Sequence, residues 1–183
     1  MKEEVKQLLM STNREGMQNL IEALDKYLFF DLPASIKFHS NYDSGLIEHS
    51  MKVYKLFKEM IDKFSINNEK EVISQDSIII CSLLHDVCKA NSYKKVGNCW
   101  IWNSSNPDGH SKLSLHRIKQ FIILTQQEEE IIKYHMGFYG TTEFSSKGEY
   151  TLQELVNAYN NNNLAKLFYF CDDMSSQFLE NTR

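Results

Sequence analysis

Chain breakers are scarce in this sequence: 183 residues hold only seven glycines and two prolines. With so few points at which a helix must stop, long uninterrupted elements are expected, and helices are what such lengths favour. Apolar residues recur at helical spacing in several stretches. Residues 2–10 read as a short amphipathic helix. Residues 13–29 read as a second, with Leu20, Ile21, Leu24 and Leu28 on one stripe. Asp31-Leu32-Pro33 ends it. A longer helix is predicted over 46–64, its stripe formed by Leu46, Met51 or Val53, Leu56, Phe57, Met60 and Phe64. Residues 67–70 read as a loop or short turn. Ser74 is the N-cap expected for a helix over 75–89. Within it, Ile78-Ile79-Ile80-Cys81-Ser82-Leu83-Leu84 is apolar nearly all round, which places it at the centre of the fold.

One stretch departs from this pattern. Tyr93-Lys94-Lys95-Val96, then Gly97-Asn98, then Cys99-Trp100-Ile101-Trp102 reads as a β-hairpin, with Gly-Asn as the tight turn. A loop over 103–109 follows, and helices resume over 110–124. Thr125 with Glu128 forms a capping box for 126–135, and Thr151 with Glu154 forms another for 152–159. A last helix is predicted over 163–179. The expected fold class is all-α: one helical bundle over 1–183 with a small hairpin insertion near 93–102.

Charge and composition narrow the function classes. Apolar residues make up 42% of the chain and charged residues 24%, an ordinary globular balance. The net charge is −4 and the arginines are Arg14, Arg117 and Arg183. A groove for extended duplex nucleic acid would show a basic excess. A small ligand or a short oligonucleotide end fits better. No apolar run approaches the ~18 residues of a membrane span, and the acidic start Met1-Lys2-Glu3-Glu4 does not read as a secretion signal. Cys81, Cys88, Cys99 and Cys171 form no C-x-x-C pair, so neutral thiols in a reducing cytoplasm are expected. Exposed aromatics near the hairpin are a candidate homodimer contact.

Candidate chemistry gathers on His49, His85, Asp86, His110, His135 and Asp172. Apart from the adjacent pair, each falls on a different predicted helix or at its end. A metal site inside a helical bundle needs that distribution, because facing helices each supply one ligand. Imidazoles with carboxylates suit Mn, Fe, Co, Ni or Zn. His85-Asp86 follows directly on an apolar helix, where an ionised carboxylate is costly unless paired or metal-bound. Plainer readings stand beside these. His49 fits a hydrogen-bonded core histidine, and Asp86 fits a salt bridge to Lys89. His110 fits a helix N-terminal residue, and His135 a C-cap facing the helix dipole. Asp172 and Asp173 fit one solvated and one capping acid. Lys89 lies one turn after His85 on the same helix face. His39 on a loop, Arg117 and Tyr139 are further candidates for substrate contact. His116 does not share the metal face. Trp100 and Trp102 share one face of the hairpin, over the core or against a base.

As a set, these pieces resemble a known family. Gly45-Leu46-Ile47-Glu48-His49-Ser50, Leu83-Leu84-His85-Asp86-Val87-Cys88-Lys89, Gly109-His110, Tyr134-His135-Met136-Gly137 and Cys171-Asp172 are similar, in this order, to the HD superfamily of metal-dependent phosphohydrolases. The likeness covers about 39–176, with 1–30 as added N-terminal helices. The stretch from His39 to His49 is most similar to the HD domain of certain 3′-to-5′ exoribonucleases. Their separate nucleic-acid-binding domain has no room here. The extra histidines of the cyclic-dinucleotide phosphodiesterase branch are not apparent.

The resemblance implies that His49, His85, Asp86 and Asp172 bind a first divalent metal. Asp86 then bridges to a second, held by His110 and His135, and Asp173 competes with Asp172 for the last place. It implies Lys89 as a phosphate contact, through the HD-x-x-K pattern. The activity implied is hydrolysis of a phosphate ester of a nucleotide or related small molecule. Two other readings use the same ligand order: a di-iron oxygenase of the HD fold, and a catalytically silent metal-binding module.

Overall fold

The computed structural model describes residues 1–37, 40–64, 72–103 and 110–179, and among these it is a bundle of eight α-helices with one two-stranded hairpin. Helices α1 (Lys2–Ser11) and α2 (Met17–Lys26) form an N-terminal pair. Helix α3 (Gly45–Phe64) lies along α4 (Gln75–Leu84). Every residue of α4 from Ser77 to Leu84 is buried. A helix with no polar face has no side to offer water, so neighbours cover it all round. The hairpin of β1 (Tyr93–Val96) and β2 (Cys99–Trp102) follows. Helix α5 (Ser111–Lys119) packs on α6 (Gln126–Tyr134), and α6 packs on α4. Helix α7 (Leu152–Asn161) lies on α8 (Asn163–Met174), which packs against α3 and α6. Phe57 of α3 and Phe168 of α8 meet edge to face at 5.1 Å in the core. No helix among the described residues is long and apolar enough to cross a membrane.

The predicted caps are formed. Ser74 Oγ accepts from the Ser77 amide, and both capping boxes, Thr125–Glu128 and Thr151–Glu154, are closed in both directions. Glu128 has a second task. Fully buried, it takes both terminal nitrogens of Arg14 at 3.1 and 2.8 Å and the Ser77 hydroxyl at 2.9 Å. It thereby ties the α1–α2 connection to α4 and α6. The hairpin pairs Tyr93 with Trp102 and Val96 with Cys99. Its turn needs the positive φ of +59° that Gly97 supplies. Trp100 packs against the core and donates to Asp43 at 2.7 Å, whereas Trp102 is half exposed beside Tyr93.

Several helices stop earlier than periodicity predicts. Helix α2 ends at Lys26. Leu28 adopts φ +57° and is half exposed, so it leaves the expected stripe, and Phe29 and Phe30 enter the core from a 3₁₀ turn instead. The core face of α3 is Leu46, Ile47, Met51, Val53, Phe57 and Ile61, with Leu56 and Met60 at its edge and Phe64 exposed. Helix α5 ends at Lys119 rather than at 124. Beyond it Ile122 and Leu124 are buried while Ile123 is 83% exposed, the alternation of extended backbone rather than a helical stripe. The last helix passes into a π-type turn at Ser175–Leu179. The loop expected over 67–70, and most of that over 103–109, lies outside the described residues.

Helix α4 ends at Leu84, not at 89, and this difference shapes the site. Asp86 leaves helical geometry at φ −100°, and Val87–Lys89 form a 3₁₀ turn. The turn is held from outside. Arg117 donates to the carbonyls of Val87, Cys88 and Ala90, and the Ser114 hydroxyl accepts from the Cys88 amide at 3.0 Å. Arg117 is thus a clamp on the chain behind Asp86. The sequence offers Arg117 as one candidate for substrate contact, but its guanidinium is engaged with this backbone and it does not line the cavity described below.

Candidate metal centre

Five helices deliver six side chains to one point. His49 comes from the interior of α3 and Asp172 from that of α8. His85 is the C-cap of α4 and Asp86 follows it, while His135 is the C-cap of α6 and His110 the N-cap of α5. The imidazoles form a string: His49 to His85 at 5.4 Å, His85 to His135 at 5.0 Å and His135 to His110 at 5.2 Å between ring centres.

The carboxylates lie along this string. Asp172 Oδ1 is 3.0 Å from His49 Nε2 and 3.8 Å from His85 Nε2. Asp86 is central. Its Oδ1 lies 2.8 Å from His110 Nε2 and 3.8 Å from His135 Nε2, and its Oδ2 lies 3.6 Å from His85 Nε2 and 2.6 Å from Lys89 Nζ. Three donor groups within reach of a single ion result: His49 with His85 and Asp172; His85 with Asp86 and His135; and Asp86 with Cys88 and His110.

Two ring nitrogens show whether this cluster suits a cation. His85 Nδ1 meets the Ser82 carbonyl at 2.9 Å, and His135 Nδ1 meets the Ile132 carbonyl at 2.6 Å. A carbonyl only accepts, so in each ring Nδ1 carries a proton, and in the neutral form of the ring the lone pair is on Nε2. Both Nε2 atoms are buried without a hydrogen-bond partner. A buried acceptor left this way is costly in a native core. Two of them facing the same carboxylate fit a divalent ion.

Charge in the cluster follows from burial and pairing. Burial pulls His85 down to about 4, so the ring is neutral at physiological pH, as a ligand must be. Burial alone would raise Asp172, but the His49 hydrogen bond and the nearby imidazoles hold it at about 2. Burial would likewise raise Asp86, yet Lys89, His85 and His110 hold it well below the usual carboxylate range. Asp86 in turn lifts Lys89 above its ordinary value against its burial. Asp173 goes the other way, raised by burial and by its neighbour Asp172. It lines the cavity and makes none of the close contacts that Asp172 makes with the histidines.

A cavity of about 730 Å³ opens over the cluster, large enough for a nucleotide-sized ligand. Lys89, Tyr93, Tyr139 and Tyr169 line it together with His49, Asp86, His110, His135 and Asp172. Lys89 pairs with Asp86 and also lines the cavity. Tyr139 is at the cavity wall. His39 lies outside the described residues, and His116 is exposed, touching Gln120. Four contributors escaped the sequence reading. Tyr169 was legible in principle, being one turn ahead of Asp172 on α8. Tyr93 read only as a strand residue. Cys88, which meets His110 Nδ1 at 3.2 Å, read as an inert thiol. Glu149, which accepts from the backbone at the head of α5, carried no local signal.

No family model matches the chain, and no solved structure matches it. A stretch of 63 residues, 34% of the chain, is 41% identical to part of the dihydroneopterin 2′,3′-cyclic phosphate phosphodiesterase of Methanocaldococcus jannaschii. That stretch spans only 25% of the archaeal protein's length.

Proposed function

We propose that this chain is a metal-dependent phosphohydrolase of the HD type, acting through a dinuclear centre on a phosphate ester of a nucleotide or related small molecule. The observation that carries the reading is the pair of buried, unpartnered Nε2 atoms of His85 and His135 on either side of Asp86. His49, His85 and Asp172 would hold one ion, His110 and His135 the other, and Asp86 would serve both. Bound there, divalent ions of the Mn, Fe, Co, Ni or Zn class supply charge neutralisation at phosphate and activation of the attacking water.

The protein's own groups do the rest. Asp86, held anionic, gives the shared negative charge. Lys89, the cation in direct contact with it, is placed to meet a non-bridging phosphate oxygen where charge builds up. The Ser82 carbonyl, while it accepts from Nδ1, holds the neutral His85 ring in the tautomer with its proton on Nδ1. Tyr93, Tyr139 and Tyr169 offer ring surface at the cavity wall for a flat heterocycle. The partial relative favours a phosphodiester, because its name describes a phosphodiesterase acting on a cyclic phosphate of a ring compound.

The test is metal analysis of chelator-free protein, with hydrolysis of bis(p-nitrophenyl) phosphate and of nucleoside 2′,3′-cyclic phosphates after Mn²⁺ loading. About two ions per chain and phosphodiester cleavage are expected, with both lost in folded His85→Ala. Protein that takes up no metal under any loading condition defeats the reading. So does iron-loaded protein that consumes oxygen but releases no product from any phosphate ester.

A further inference from the structure

The second half of the cluster has a support that the ligand pattern does not contain. His110 precedes α5, so the first turn of that helix leaves amides without helical partners. Glu149 fills this gap. Its Oε1 accepts from the amides of His110 and Ser111 at 2.6 and 3.0 Å, and its Oε2 accepts from that of Lys112 at 2.7 Å. One carboxylate therefore fixes the backbone that carries the His110 ring. Cys88 meets the far side of the ring, at Nδ1, which leaves Nε2 directed at Asp86.

Glu149 itself is held by the other ligand's loop. Its amide donates to the Gly140 carbonyl at 2.8 Å, the Thr142 amide donates to Tyr150, and the Tyr150 hydroxyl donates to the Gly137 carbonyl, two residues past His135. Residues 137–150 thus form a strap from one ligand of the second ion to the backbone of the other.

We propose that Glu149 is a positioning residue for the second cation: it holds His110 in register, and occupancy of the His110–His135 side depends on it while the His49–Asp172 side does not. The inference rests on the dinuclear reading above. Removing an outer partner of a ligand typically weakens metal binding by about 10- to 100-fold.

Glu143 provides the control. It lies in the same strap and also accepts from a helix-start amide, that of Leu152 in α7 at 2.9 Å, yet α7 carries none of the clustered side chains. The experiment is Mn²⁺ titration of metal-free protein by calorimetry, with ion content checked by mass spectrometry, for wild type, Glu149→Ala, Glu149→Gln and Glu143→Ala. Expected are two ions for wild type and Glu143→Ala, and for Glu149→Ala one ion unchanged with the second weakened at least about tenfold. Glu149→Gln, which keeps one acceptor oxygen for the His110 and Ser111 amides, should recover part of that loss. Two ions at wild-type affinity in folded Glu149→Ala overturn the inference alone. Equal weakening in Glu143→Ala also overturns it, because a general loosening of the strap would then explain both. Should Glu149→Ala not fold, Glu149→Gln decides, and wild-type affinity there counts against it. A wild type that binds one ion removes the dinuclear reading and this inference together.

Discussion

The two halves of the cluster use the same residue types but different parts of helices. His49 and Asp172 stand in the interiors of α3 and α8, with side chains 2% and 17% exposed. Packing above and below holds each of them. His110 and His135 stand at helix ends, where one capping contact does the work of a whole turn of packing, and the His110 side chain is 29% exposed. Apart from His85, at the end of α4, the first half therefore takes its rigidity from core packing. The second is only as rigid as its caps and strap, and belongs to the part of a fold that opens most readily.

The strongest way to break this contrast is to remove one ligand from each side. In His49→Ala both Asp172 and His85 lose a buried neighbour. Ion content should fall below one per chain, with activity down on the order of 100-fold or more. His110→Ala should keep about one ion. Equal ion loss in the two variants, by mass spectrometry on folded protein, would erase the distinction.

A second test strikes the core and spares the cluster. Glu128→Ala leaves Arg14 without its buried partner and should cost about 3 kcal/mol by denaturant titration. The ion count of the folded protein should stay unchanged. The acid limb adds a sign. Burial raises Glu128, but Arg14, the Thr125 amide and Ser77 outweigh it and leave it below its ordinary value. A carboxylate depressed in the folded state contributes fully above its unfolded pKa, and the contribution is lost as pH falls through the folded one. The stability gap between wild type and Glu128→Gln should therefore close on acidification. A gap that persists or widens would mean that the pair does not act through charge.

Gly137 probes the strap more gently. It adopts φ +52°, and a Cβ there would sit 2.3 Å from the Tyr169 ring. Gly137→Ala should cost about 1–3 kcal/mol and weaken the second ion only, as two-site calorimetry would show. The smallest effect is expected outside both halves. Tyr139→Ala removes one aromatic wall, worth about 1 kcal/mol. KM for a ring-bearing phosphate ester should rise severalfold with kcat near wild type. A fall in kcat at constant KM would move Tyr139 from substrate binding to the chemistry.

The same contrast explains what could be read in advance. The apolar run of α4 ending in His85-Asp86 announced a buried helix with chemistry at its tip. Periodicity puts the six candidate residues on five helices or their ends, with His85 and Asp86 sharing one, and the structure brings them together. Helix ends are less legible. Periodicity marks which residues share a face, not where a backbone stops, so it carries α4 on through Asp86 and Lys89, where Arg117 holds a 3₁₀ turn. Glu149 was out of reach because its partner lies 39 residues away, across a contact made by backbone amides that every sequence contains. Cys88 is the free, buried thiol that the sequence leads one to expect, but the imidazole beside it is set there only by folding.

One shared detail of His85 and His135 has a consequence in time rather than in space. Each ring is locked by a carbonyl three residues back, in the final turn of its own helix. Final turns fray on fast timescales, and their carbonyls exchange partners with water as they do. Each opening releases the ring to rotate and to swap its proton between nitrogens. The lifetime of a correctly aimed ligand is thus the lifetime of a helix end. α4, enclosed on every side, should open far less often than α6. The two imidazoles that face Asp86 would then keep different clocks, and the slower belongs to the His-Asp pair.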